Sequence, residues 1–130
     1  NKFVQEGFYY SAGKIRTVPV SIGGTKWTPE LPIESIIKEE LDDIFNKKIS
    51  DIDKAIEILL YIMKKQIFID GNKRTSIIFA NHYLISKGKG IIVIPAELTD
   101  GYKDLLINYY EGKDKTKIKK FLKEKCFMKI

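Results

Sequence analysis

The chain has 130 residues, of which 44% are hydrophobic, and its formal net charge is +6. This length suits one domain with one core, and no apolar run approaches the roughly 18 residues that a membrane-spanning helix needs. The charge permits an anionic partner such as a nucleotide. The lysines cluster only near Lys113–Lys125, where apolar residues alternate with them as on the solvated face of a helix. Nucleic acid is therefore not an expected partner.

The start of the chain and its cysteine content predict a cytoplasmic location. No basic-apolar-small segment typical of a signal peptide opens the sequence. The one cysteine, Cys126, has no partner for an internal disulfide, which is typical of a reducing compartment. The chain begins at Asn1 rather than Met, so residues of the full protein are expected before it. We predict a single domain over residues 1–130.

The first recognisable element is a hairpin within residues 17–28, which we call the flap. Apolar residues alternate from Val18 to Ile22, which is the period of a strand. Gly23 and Gly24 follow and supply the positive φ angles of a two-residue hairpin turn, after which Thr25 to Trp27 form the return strand. Because Pro19 has no N–H to donate, this strand is predicted to lie at an edge.

The rest of the chain is predicted to be helical, apart from a short strand or extended run at residues 91–94. Ser50 is a good N-cap, and Gly88, Gly90 and Gly112 are natural stops. The helix that follows residue 71 is apolar nearly all round, so it is predicted to lie at the centre of the core. The result is a mainly α helical bundle around a central buried helix. The predicted helices are Ile33 to Phe45, Ile52 to Lys65, Asn72 to Lys87, Glu97 to Tyr110 and Asp114 to Lys125.

The connection between the two most apolar helices has the residue types of an anion site. Gly71 lets the backbone approach a ligand, and the helix that starts next directs its free N–H groups and positive dipole end at this point. Arg74 offers a planar charged fork for phosphate oxygens, and Lys73 offers a mobile charge. Asp70 would repel phosphate alone, but it suits Mg²⁺, which bridges carboxylate to phosphate.

The alternative interpretation is a plain helix start in which Asp70 or Asn72 is only a cap. Lys73 and Arg74 argue against it, because they lie in the first helical turn, where the helix dipole disfavours cations. A bound anion would compensate for that mismatch.

The same segment resembles the signature of the Fic/Doc family, which in most members reads His-x-Phe-x-Asp/Glu-Gly-Asn-Gly/Lys-Arg. The run from Asn72 to Thr75, Asn-Lys-Arg-Thr, is similar to the Doc variant. Gly13 to Arg16, with the flap after it, resembles the family segment around its own flap, and Asn108 to Gly112 resembles a late-helix pattern. The positions that match the signature are Phe68, Asp70, Gly71, Asn72 and Arg74.

The resemblance implies a Fic fold and a nucleotide site. Most Fic enzymes move AMP from ATP to a protein hydroxyl, whereas Doc moves the γ-phosphate. By this resemblance Asp70 holds Mg²⁺ with ATP, and the flap aligns an extended protein target by strand addition. The residues implied for nucleotide binding are Gly71, Asn72, Lys73, Arg74 and Thr75, and those for target binding are Val20, Ile22, Gly23, Gly24 and Trp27. Trp27 either clamps the target or covers the edge of the core.

Two positions depart from the family pattern. Gln66 stands where the family has its general-base histidine, and an amide has no useful basicity. Ile77 stands where a second family arginine often contacts the nucleotide. His82 lies ten residues beyond Asn72, or about 15 Å along a helix, which is too far to replace the base. Gln66 and Arg74 remain the catalytic candidates.

Two functions stay open at this point. One is a weak transferase that moves AMP or phosphate from ATP to a protein hydroxyl, with Gln66 orienting the nucleophile. The other is an inactive Fic scaffold that binds a nucleotide or a protein. The family's inhibitory motif, Ser/Thr-x-x-x-Glu-Gly/Asn, does not occur in the sequence, so an inhibitory glutamate would come from a separate partner.

Overall fold

The fold is described by a computed structural model over residues 15–69, 71–113 and 115–129. It is mainly helical, as the sequence predicts. Among these residues no helix is both long and apolar enough to cross a lipid bilayer. The elements in chain order are α1 (Glu34–Asn46), α2 (Asp51–Lys65), α3 (Asn72–Ser86), β1 (Gly90–Ile92), a 3₁₀ turn (Ala96–Leu98), α4 (Thr99–Tyr110), α5 (Lys115–Phe121), a π-helical turn (Leu122–Cys126) and β2 (Phe127–Lys129).

The central helix of the bundle is α2, and the prediction that α3 occupies this position is wrong. Every residue from Ala55 to Met63 is buried, including the polar Glu57. In α3, by contrast, Ile78 and Ile85 are more than half exposed. A pattern that is apolar all round shows only that a helix contains many apolar residues. Which of its faces are buried depends on the elements that pack against it. Ser50 caps α2 as predicted, by accepting a hydrogen bond from the Asp53 N–H at 3.2 Å.

The two strands of the described residues are distant in sequence. β1 and β2 pair antiparallel, with Ile91 opposite Met128. Asn81 of α3 continues this small sheet, because its side-chain amide exchanges two hydrogen bonds with the backbone of Ile92, at 2.9 and 2.6 Å. The predicted last helix is shorter than expected, since its final turn widens to a π-helix and the chain then becomes β2.

An ion-pair network fastens α5 to the central helix. The Glu57 carboxylate accepts hydrogen bonds from Lys115 at 2.6 Å and from Lys119 at 3.0 Å. Lys123, in the π-helical turn, reaches Asp53 at 3.4 Å. Burial by itself raises the pKa of Glu57, but the hydrogen bonds and charges of the two lysines outweigh it and hold the pKa below its usual value.

The flap carries no strand pairing, so the predicted strands from Val18 to Ile22 and from Thr25 to Trp27 are wrong. The chain is extended there and reverses at Gly23 and Gly24 as predicted. Its polar and aromatic side chains contact the helices, and its two halves do not pair with each other as strands. The alternating pattern therefore reflects one side of an extended segment that faces the bundle, with Ile22 and Trp27 packed against the core.

Candidate functional site

The loop that connects α2 to α3 begins at Gln66, in a conformation that few side chains adopt. Its φ and ψ are 45° and 56°, the left-handed region. No other non-glycine residue in the described ranges has a positive φ. This conformation costs an L-residue about 1–2 kcal/mol and persists only where neighbouring contacts hold it. The Gln66 N–H still bonds the Ile62 carbonyl at 3.1 Å, so this residue closes α2 and turns the chain into the loop.

Both ends of the Gln66 side-chain amide are engaged. Nε2 donates to the Met63 carbonyl at 2.6 Å, and Oε1 accepts from Asn72 Nδ2 at 3.2 Å. The amide cannot act as a base. It would also have to give up one of these two bonds before it could orient an incoming hydroxyl.

Asn72 closes the loop with its side chain. Its Oδ1 accepts from the Phe68 N–H at 3.0 Å, and its Nδ2 donates to the Phe68 carbonyl at 2.7 Å. Both side chains are buried, with 5% of Asn72 and 4% of Phe68 exposed. The interpretation of Asn72 as a helix cap is therefore wrong, since its amide bonds the backbone of the loop instead, and the other candidate cap, Asp70, lies outside the described residues.

The start of α3 has the properties of an anion site. Its N-cap is Gly71, which gives no side-chain cap, and its first turn contains no acidic residue. The first N–H groups of a helix lack intrahelical acceptors and attract negative charge. Gly71 has φ of 77°, and an added Cβ would lie 3.4 Å from Arg74 Nη2. The glycine therefore provides both the turn and the space beside the guanidinium.

A groove of about 710 Å³ opens in front of this helix end. Its polar floor holds Lys73 and Arg74, whereas one wall is apolar because Ile77 replaces the expected second arginine. Ile69, with 68% of its surface exposed, lies at the rim. Thr75 is half-buried and does not line the groove. The lining residues are Met63, Gln66, Ile69, Gly71, Asn72, Lys73, Arg74, Ile77 and Ile78.

A second cavity of about 280 Å³ lies between the flap and α4. It shares Met63, Gln66 and Lys73 with the groove, so the two spaces adjoin at the position of the family histidine. We call it the flap pocket. Its other lining residues are Ser21, Ile22, Gly23, Thr99, Tyr102, Lys103, Leu106, Ile107 and Tyr110.

Tyr102 lines the flap pocket and carries a buried hydroxyl. Only 2% of the residue is exposed, and within the described part of the chain its hydroxyl is the one buried side-chain N or O atom without a hydrogen-bond partner. Burial, with smaller contributions from Tyr110 and Cys126, raises the pKa of this phenol far above its usual range, so it stays protonated. A buried hydroxyl without a partner costs about 1–3 kcal/mol, which a hydrogen-bonding ligand would recover.

The flap is attached to the end of α4 by a hydrogen bond and a ring stack, and its turn lies close to the same helix. Thr25 Oγ1 donates to Glu111 Oε2 at 2.6 Å, and the Trp27 ring stacks on Tyr110 with centroids 5.3 Å apart. At the turn, an added Cβ on Gly24 would lie 2.9 Å from Ile107 Cδ1. This stacking favours the covering role of Trp27 over the clamp, because its ring face already has a partner.

The remaining predicted site residues are placed as follows. Asp70 lies outside the described residues, and the described part of the chain contains no group of three or more His, Cys, Asp or Glu side chains arranged to hold a metal ion. Val20 is half-buried and lines neither space, and His82 is exposed on α3. Sequence analysis missed Tyr102, because an isolated tyrosine in a helix carries no signal of its own.

Comparison with known proteins agrees with the geometry of the loop. No curated protein sequence matches the chain. The model of the Fic/DOC family matches residues 2–84, which include the flap, the loop and nearly all of α3. The chain therefore belongs to the Fic/DOC family.

Proposed function

We propose that this Fic/DOC protein binds ATP with Mg²⁺ at the loop and slowly transfers AMP or phosphate to a protein hydroxyl. The observation that carries the proposal is the first turn of α3, which holds Lys73 and Arg74 and no acidic residue, in a groove that adjoins the flap pocket at Gln66.

The phosphates would occupy the groove. Lys73 and Arg74 are exposed in the first turn of α3, where the dipole alone disfavours cations. A polyphosphate reverses that effect, since it accepts bonds from the backbone N–H groups and from the guanidinium fork at once. Asp70 would hold Mg²⁺, which commonly binds through one carboxylate together with substrate phosphates. The metal would neutralise charge on the phosphate chain.

The nucleoside would occupy the flap pocket. The pocket volume of about 280 Å³ is near the lower end of small-molecule sites, roughly 300 Å³. Its lining is mainly apolar, with aromatic side chains from α4, and we infer that the Tyr102 hydroxyl, which has no partner among the described residues, donates one hydrogen bond to a base edge. A purine satisfies both features.

The transfer step would start with a hydroxyl of a protein docked near the flap. Its oxygen would attack the α-phosphorus and release pyrophosphate, or attack the γ-phosphorus and release ADP. In either case the hydroxyl proton passes to solvent, because Gln66 cannot accept it. Loss of a general base lowers a rate by roughly 10²–10⁴-fold, so turnover is slow.

A second candidate is a nucleotide-binding scaffold without transfer. The observation that favours it is the engagement of both ends of the Gln66 amide, by Met63 and Asn72. In that case the loop holds the nucleotide. The flap then presents to a partner either the nucleotide itself or the protein surface that the nucleotide organises.

The test uses ATP labelled at either the α- or the γ-phosphate, with Mg²⁺ and cell lysate. Wild type is compared with Gln66→His, which restores a base, and with Arg74→Ala. Lys120→Ala, an exposed cation on α5 outside the groove, is the matched control for loss of charge. Calorimetric titration of each variant with ATP and Mg²⁺ measures binding separately from transfer.

The outcomes separate the two candidates. Label on protein with wild type, lost with Arg74→Ala and kept with Lys120→Ala, supports the transferase, and the labelled position identifies AMP or phosphate. Label only with Gln66→His supports the scaffold. Failure of wild type and of Gln66→His to bind ATP would overturn both nucleotide functions.

A further inference from the structure

Beyond the loop itself, one buried cation connects the flap to the site. Arg16 is 2% exposed, and its guanidinium donates to backbone carbonyls in three segments. It bonds Val18 at 3.0 Å, where the flap begins, and Glu30 at 2.7 Å, just beyond the end of the flap. It also bonds Lys65 at 3.2 Å, at the end of α2, and the carbonyl of Gln66.

The backbone of Arg16 adds a further connection, since its N–H donates to the Ile67 carbonyl at 2.9 Å. The last carbonyls of a helix have no intrahelical donor, and the C-terminal end of the helix dipole attracts a cation. Arg16 therefore supplies hydrogen-bond donors to the last carbonyls of α2, at Gln66, whose backbone conformation is strained. No carboxylate of the described ranges pairs with it.

This arrangement requires arginine. Only a guanidinium presents five N–H donors in one plane, and four carbonyls from separate segments use them here. A lysine would keep the charge, but its compact ammonium has three donors and cannot span the same acceptors. Burial lowers the pKa of Arg16, yet an arginine retains its charge in proteins.

We propose that Arg16 is a positioning residue that couples the flap to the nucleotide site. By fixing the ends of the flap to the carbonyls of Lys65 and Gln66, it sets the height of the flap above the loop and thereby the depth of the flap pocket. The phosphate groove is held separately by the bonds between Asn72 and Phe68. Loss of Arg16 therefore weakens binding of the nucleoside and leaves binding of the phosphates.

The experiment compares wild type with Arg16→Lys and Arg16→Met, and this inference rests on the proposed ATP site. Calorimetry measures affinity for two probes with Mg²⁺: ATP, which uses both spaces, and tripolyphosphate, which uses only the groove. Hydrogen exchange at the backbone amide of residue 16, which adjoins the flap and donates to the Ile67 carbonyl at 2.9 Å, measures the tether without any ligand, and we call its rate the flap exchange. The expected result for Arg16→Lys is at least tenfold faster flap exchange, about tenfold weaker ATP binding and unchanged tripolyphosphate binding.

Three results would overturn the coupling. Flap exchange that stays at the wild-type rate would show that Arg16 does not tether the flap. Equal loss of ATP and tripolyphosphate affinity would place its effect on the loop. A loosened flap with unchanged affinity for both probes would show that the flap does not control the pocket. If wild type binds no ATP, the proposed function and the coupling fail together, whereas the exchange rates still decide whether the tether exists.

A second variant protects the test against simple unfolding. Thr25→Val keeps the side-chain shape but removes two bonds of the Thr25 hydroxyl, the exposed one to Glu111 and the one it accepts from the Trp27 N–H, so the helices are expected to stay folded. It loosens the flap at its other attachment, and the coupling predicts a smaller loss of ATP affinity, about two- to fivefold, again without change for tripolyphosphate. Faster flap exchange in this variant with full ATP affinity would show that the height of the flap does not control the pocket.

Discussion

Asn72 Nδ2 lies 3.2 Å from Gln66 Oε1, so the first residue of α3 binds the residue that ends α2. The same amide group also holds the backbone of Phe68 in the loop. One side chain thus fixes the distance between the family-histidine position and the start of α3. This relationship explains how the loop keeps its shape although its first residue, Gln66, is strained.

Asn72→Ala is expected to lose both stability and nucleotide affinity. It removes the two hydrogen bonds that Asn72 makes with the N–H and carbonyl of the buried Phe68, which costs about 1–3 kcal/mol of unfolding free energy. Urea unfolding measures the first effect and ATP calorimetry the second. The control is Asn81→Ala on the same helix, which removes two equivalent backbone bonds to Ile92. It should destabilise by a similar amount yet bind ATP normally, and weakened binding in this control would contradict the assigned role of Asn72.

Gly71→Ala is expected to reduce phosphate affinity more than stability alone explains. An alanine at φ 77° costs about 1–2 kcal/mol, and its Cβ would meet Arg74 Nη2 at 3.4 Å. Gly88→Ala is the matched control, because Gly88 has a similar φ of 67° beyond the other end of α3 and no atom within 4 Å of an added Cβ. Tripolyphosphate binding should fall only for Gly71→Ala. Equal affinities in the two variants would argue against an anion site at this helix end.

Tyr102→Phe is expected to raise stability and lower ATP affinity. The substitution removes a buried hydroxyl without a partner, so the unfolding free energy should rise by about 1 kcal/mol. ATP loses its hydrogen bond in the flap pocket, whereas tripolyphosphate is unaffected. In the control Tyr83→Phe, the lost hydroxyl bonds Asp51 at 2.8 Å, so that variant should be less stable and bind ATP normally. Unchanged ATP affinity in Tyr102→Phe would exclude this hydroxyl as a ligand contact.

The Glu57 network predicts acid sensitivity. The pKa of Glu57 is lower in the folded than in the unfolded chain, so its stabilisation is complete above the unfolded value, about 4.3, and is lost as the pH falls through the folded value. Glu57→Gln should cost about 1–3 kcal/mol at pH 7 and flatten the decline below about pH 4.5. Urea unfolding over a pH series measures both.

The control is Glu34→Gln, in an exposed pair with Lys38, which should change stability by less than about 0.5 kcal/mol. If the unfolding free energy of Glu57→Gln falls with acid as much as that of wild type, groups other than Glu57 cause the acid sensitivity.

The sequence by itself determined the helices and the loop that joins α2 to α3. Apolar spacing, the Ser50 cap and the glycine stops are local signals, and a helix is held by local hydrogen bonds, so its position can be read without knowing its neighbours. The prediction of an anion site rests on the same kind of local signal, since Gly71, Lys73 and Arg74 lie within one helical turn. The family signature added the identity of the missing base at Gln66.

Only the tertiary structure decided which helix is central, which residues the flap contacts and which groups the polar side chains of the site bond. Burial depends on all neighbours at once, so the apolar pattern of α3 could not reveal that α2 lies deeper. The alternating residues of the flap indicated an extended segment, but its partners, Glu111 and Tyr110, lie more than 80 residues away. Arg16 bonds carbonyls, and Tyr102 lines a cavity, that distant segments bring together, whereas Asn72 bonds residues only four and six positions away.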